Sequence, residues 1–129
     1  MNATALVIGN DHVVADFVAR VLERANIDVL RASNGHLGLK MTLAYLPDVV
    51  LSDHDMPYCT GLDVLKAIRA DRRTCRIPFV SLFSTPSAVL SLQHFLYGAD
   101  AALASPFGPR SILNTVYDLL KTSRRPSDA

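Results

Sequence analysis

No segment of the chain approaches the roughly 20 consecutive apolar residues that a membrane-spanning helix requires, and the first residues lack the basic start and cleavage site of a secretory signal. A membrane partner is not expected, and a cytoplasmic location is. Cysteine is scarce: Cys59 and Cys75 stand apart, without the CxxC spacing of zinc or redox sites. Two reduced thiols are the expectation. Charge of one sign is not in excess either, because 13 Lys and Arg balance 12 Asp and Glu for a formal net charge of +1. Nothing global draws such a chain to nucleic acid or anionic lipid. Hairpin signals, internal repeats and low-complexity stretches are also missing, which argues against antiparallel sheets, solenoids and disordered linkers.

What is present is apolar residue in short blocks. Half of the 129 residues are hydrophobic, enough for one domain with a full core and no staples. Five blocks read as buried strands: 3–8, 29–32, 49–53, 79–82 and 101–104. Between them run helical periodicities. Asp11 caps the first, with Val14, Phe17, Val18, Val21, Leu22 and Ala25 at core spacing. Asn34 or Ser33 caps the second, carried by Leu37, Met41, Ala44 and Tyr45 up to Pro47, which turns Leu46 extended. Leu62, Leu65 and Ile68 trace the third, leaving Lys66, Arg69, Arg72 and Arg73 in water as a basic helix end. Thr85 and Pro86 open the fourth, Gly98 stops it, and Pro109 opens the fifth, buried through Ile112, Leu113, Val116, Leu119 and Leu120. Alternation of this kind predicts an α/β domain over 1–121, a parallel five-stranded sheet with helices on both faces, followed by a polar tail over 122–129.

The chemistry is concentrated between Pro47 and Gly61. Val49, Val50 and Leu51 read as a strand buried on both faces that stops at Asp53, with Pro57 and Gly61 shaping the loop beyond. In open α/β sheets the carboxyl edge of the strands is where ligands bind, so a carboxylate at that edge is placed for chemistry. Asp11 lies at the corresponding end of the first strand.

The run Pro-Asp-Val-Val-Leu-Ser-Asp-His-Asp-Met-Pro over 47–57 closes with Gly61, and Ile77-Pro78, Gly98-Ala99-Asp100 and Pro106-Phe107 follow at matching intervals. Together these make the chain resemble the receiver domain of two-component response regulators, of the CheY-like kind, over nearly its whole length. The resemblance implies a flavodoxin-like (βα)5 fold with strand order 2-1-3-4-5. It also implies a signalling protein of a phosphorelay rather than an enzyme, with Asp53 as phosphoacceptor and a sensor histidine kinase or phosphotransfer protein as its donor. Magnesium would be held by Asp11, Asp53 and the backbone carbonyl of Asp55, weakly because Asn10 stands where a second acid is expected.

Three positions depart from the pattern. Phe83 stands for the family's Thr or Ser, with Ser84 one step later, Ser105 stands for its lysine, and Ala102 for its aromatic residue. The expectation is an impaired switch that works through protein contacts at the fourth helix, fifth strand and fifth helix. Fixing that helix from Gly98 turns Phe95 inward and leaves Val89, Leu92 and Leu96 outward, a surface for a homodimer or a protein partner with one dominant arrangement. The alternative is a fully phosphate-switched regulator in which Ser84 supplies the hydroxyl and His12 or a partner the cation. A flavin-binding reading is disfavoured, because Gly9-Asn10-Asp11-His12 is acidic where a flavin phosphate needs a cradle.

Overall fold

The computed structural model describes residues 2–122. The chain alternates strand and helix throughout: β1 Thr4–Ile8, α1 His12–Arg24, β2 Asp28–Ala32, α2 Gly35–Tyr45, β3 Val49–Asp53, α3 Gly61–Ala70, β4 Phe79–Phe83, α4 Ala88–Leu96, β5 Ala101–Ala104 and α5 Pro109–Thr122. All strand pairs are parallel, as the alternation implies, and their order is β2-β1-β3-β4-β5, as the resemblance implies. Strands β3 and β4 lie in the middle and are buried along nearly their whole length. Their apolar runs have no alternation because both faces are covered. Strand order reverses between β1 and β3, so the carboxyl ends of these two strands open a crevice. Of the predicted tail 122–129, Thr122 instead ends α5, and residues 123–129 lie outside the described residues.

Two cores flank the sheet. One gathers Ala5, Val7, Val49, Leu51, Val80 and Leu82 with α1 and α5, the other Leu6, Ile8, Val50 and Phe79 with α3. Helix α2 differs from expectation. Its buried positions are Gly35, Gly38 and Thr42, whereas Leu37 and Tyr45 are exposed. The reason is closeness: a Cβ on Gly38 would come within 2.5 Å of Ile8, so the helix approaches β1 through its small residues. Phe17 likewise stays 38% exposed on α1. Leu46 is not extended before Pro47 but left-handed, at φ 47°, ending α2 with its N–H on the Thr42 carbonyl.

Arg69, expected in water, is drawn into the structure instead. Its guanidinium donates to the carbonyls of Gly98, Ile77 and Cys75 and pairs with Asp100 at 3.0 Å. Gly98 itself adopts φ +105°, a conformation that places its carbonyl under that guanidinium and ends α4. Helix α4 begins later than predicted, with Ser87 rather than Thr85 as its cap. Its rotation also differs. His94 is its one fully buried residue, while Phe95, expected inward, is 47% exposed.

Candidate functional site

Asp53 is the last residue of β3 and half-buried at the carboxyl edge of the sheet. The loop behind it is held tightly. The His54 carbonyl accepts from the N–H groups of Met56 and Gly61, and the His54 N–H donates to the Leu82 carbonyl. Gly61 permits this, because a Cβ there would lie 2.5 Å from the Asp53 carbonyl. Thr60 then starts α3 in a capping box with Asp63.

Three acids share the field around Asp53. Burial pushes its carboxyl above the ordinary aspartate value, the negative charges of Asp55 and Asp11 add to this, and the backbone N–H groups of Asp55 and His54 oppose it. Asp11 caps α1, accepting from Val13 N–H at 2.9 Å and Val14 N–H at 3.3 Å. Asp55 is exposed and turns its carboxylate to Ser84, whose hydroxyl donates at 2.6 Å. Among the described residues no three His, Cys, Asp or Glu side chains gather into a metal cluster. The donor set is still one that suits magnesium: hard carboxylate and carbonyl oxygens, open to water, with mutual repulsion that a divalent cation would relieve.

The positions singled out in the sequence as departures take different places. Phe83 is buried, at 2% exposure, and packs its ring against His54 and His94 instead of opening onto the edge. Ser84 is exposed at the rim on Asp55. Ser105 is exposed on the turn after β5, its N–H on the Phe83 carbonyl and its bond to Pro106 cis. His12 is exposed on the first turn of α1, and Ala102 lies in β5. Asp11 and Asp55 thus join Asp53 in one electrostatic neighbourhood, whereas the buried Phe83 ring brings no polar group to it.

Two residues that sequence reasoning passed over lie directly behind this edge. His54 Nδ1 is 2.9 Å from Nε2 of His94, and the other nitrogen of His94 is 2.6 Å from the buried Ser81 hydroxyl. Burial, with a smaller contribution from His54, holds the His94 imidazole down to about 4. The available signal was Ser91 and His94 on α4, with the cap Ser87 one turn earlier, a polar stripe that hydrophobic periodicity alone places toward solvent.

Helix α4 thus turns apolar residues outward, as expected for Val89, Leu92 and Leu96, and a polar one, His94, inward. Val89, Leu92 and Leu96 point outward at 70%, 60% and 74% exposure, joined by Phe95 and Tyr97.

Comparison with known proteins agrees with this geometry. Residues 5–117 match the family model described as the response regulator receiver domain. The chain is 34% identical over 125 residues to the DNA-binding dual master transcriptional regulator RpaA of Synechocystis, covering 96% of this chain and 52% of that one. It is 25% identical over 118 residues to the phosphate regulon transcriptional regulatory protein PhoB of Pseudomonas aeruginosa, covering 92% of this chain and 52% of that one. It thus spans about half the length of these curated relatives. Among solved structures, chemotaxis response regulator CheY4 of Vibrio cholerae superposes with a TM-score of 0.86 at 26% identity, covering 92% of this chain and 99% of that one. The receiver domain of the Francisella response regulator 1452 gives 0.87 at 27%, covering 95% and 100%. Fold and family match converge: this chain belongs to the receiver domains of response regulators, the signalling domains of two-component systems.

Proposed function

We propose that Asp53 accepts a phosphoryl group, slowly, and that the outward face of α4 is the surface through which the domain meets its protein partner. The observation that carries the first part is the half-buried Asp53 carboxylate at the sheet edge, in the shared field of Asp11 and Asp55. In the transfer, an Asp53 oxygen attacks the phosphorus of a phosphohistidine on a sensor kinase or phosphotransfer protein. The O–P bond forms as the N–P bond breaks, and the departing imidazole nitrogen keeps the electron pair. Asp11, Asp53 and the Asp55 carbonyl would hold magnesium, which supplies neutralisation of the phosphoryl oxygens when bound. The chain's own residues orient the nucleophile: the Asp55 N–H fixes one Asp53 oxygen at 3.3 Å, and the His54 backbone bonds fix the loop.

Transfer is slow because the position held by lysine in the family is Ser105 here. Removing one oriented cation from such a site costs on the order of 3 kcal/mol, about a hundredfold in rate. The outward face of α4 supports the second part, since an apolar stripe of this kind is suited to a second copy of the chain or an apolar partner helix. A fully phosphate-switched domain is the second reading. It is favoured by the contact of α4 with the residue that follows Asp53.

The acceptor assignment is tested by intact mass after acetyl phosphate with magnesium. One phosphoryl mass should appear on the parent and be missing from Asp53→Asn. An equal adduct on both would remove the assignment.

A further inference from the structure

With Phe83 and Ala102 in place of a hydroxyl and an aromatic ring, the acceptor edge needs another physical route to α4 if it is to influence that helix. A continuous one exists behind Asp53. His54, the next residue, meets His94 of α4 at 2.9 Å, and His94 meets Ser81 of β4 at 2.6 Å. Both His94 and Ser81 are 0% exposed. The Phe83 ring closes the arrangement, 4.9 Å from the His94 ring and 5.7 Å from that of His54.

Three features make this more than packing. His94 is the one fully buried residue of a nine-residue helix, so it is the residue of α4 that the body of the domain covers completely. Both of its ring nitrogens are engaged, so a displaced His54 leaves a buried nitrogen unpaired unless His94 follows. And His54 is gripped at its backbone by the same loop that positions Asp53. A buried, fully paired network of this kind has few alternative arrangements, which is what a two-state element requires.

We infer that His54, His94 and Ser81 form a hydrogen-bond relay coupling the state of Asp53 to the docking of α4, with His94 as its positioning residue. The inference rests on Asp53 being the acceptor, and extends that reading by naming how the event reaches the partner face. Coupling of this kind is reciprocal: what covers α4 also biases the loop that holds Asp53.

The experiment is amide hydrogen exchange of residues 91–97, with and without acetyl phosphate and magnesium, intact mass being recorded on each sample. Parent, His54→Asn and His54→Leu are compared. Asn keeps a polar atom near the position of Nδ1, and Leu keeps only bulk. On phosphorylation the parent and the Asn variant should change exchange in α4 at least threefold, while the Leu variant takes up the phosphoryl group without that change. A phosphorylated parent with unaltered α4, or a Leu variant that responds as the parent does, overturns the relay. If His54→Leu does not fold or is not phosphorylated, Ser81→Ala cuts the relay at its far end and carries the same comparison. If the parent gains no phosphoryl mass, the acceptor reading falls and the relay is judged on unmodified proteins. There His54→Leu should speed α4 exchange about tenfold with α1 unchanged, and equal rates overturn it.

Discussion

Asp53 and His94 are both held away from their ordinary protonation behaviour, and the two act on stability in opposite directions. The folded state keeps His94 neutral down to about 4, whereas the unfolded imidazole titrates near 6.5. The unfolded chain therefore binds more protons between those values, and stability falls as pH drops through that window. The loss attributable to this group is up to about 3 kcal/mol. Asp53 partly offsets it, because a carboxyl whose value is raised on folding favours the folded state as it protonates. Urea unfolding of the parent and His94→Gln across pH 4 to 7 reads the difference. The parent should be steeper, and parallel curves would refute the assignment. At the same scale, Ser105→Lys would put a cation on the turn after β5, and if the proposed site is right the rate of Asp53 phosphorylation should rise roughly tenfold or more. Stopped time points read by intact mass would show it, and an unchanged rate would mean that the Ser105 turn does not reach the acceptor.

Helices α3 and α4 show how an element's seat can depend on a few polar residues. Arg69 ties the end of α3 to the Gly98 turn and to the β4 approach through four backbone and side-chain acceptors. Arg69→Ala leaves carbonyls unpaired and should cost about 2–3 kcal/mol in urea unfolding. Arg72→Ala, on an exposed residue, should stay within about 0.5 kcal/mol. On α4, Leu92→Asp should abolish self-association in sedimentation while leaving the unfolding midpoint nearly unchanged, because Leu92 is 60% exposed. A variant that unfolds, or one that associates as before, would count against the proposed face. These elements also mark where the sequence was readable. Apolar strand runs, caps at Asp11 and Asn34, and Gly98 as a stop gave the element order and the sheet. Position of Asp53 at a strand end was readable for the same reason. What periodicity misjudged was orientation: Arg69 and His94 turn inward for hydrogen bonds, and Gly38 for closeness, while Phe95 and Tyr45 turn outward. Hydrophobicity alone carries no sign of a buried polar partner on another strand.

At the scale of the whole molecule, a parallel sheet with one carboxyl edge brings Asp11, after β1, to Asp53 and Asp55 at the end of β3, and α4 stands next to that edge on the β4 side. The family match fixes the kind of domain. Acceptance of a phosphoryl group at Asp53, proposed above, is tested most directly by chemical trapping. Borohydride reduction after treatment with acetyl phosphate and magnesium converts an aspartyl phosphate to homoserine, and peptide sequencing by mass spectrometry then locates it. Homoserine should be found at position 53, only when both reagents are present. Homoserine at Asp11 or Asp55 instead, or at no position, would contradict the account.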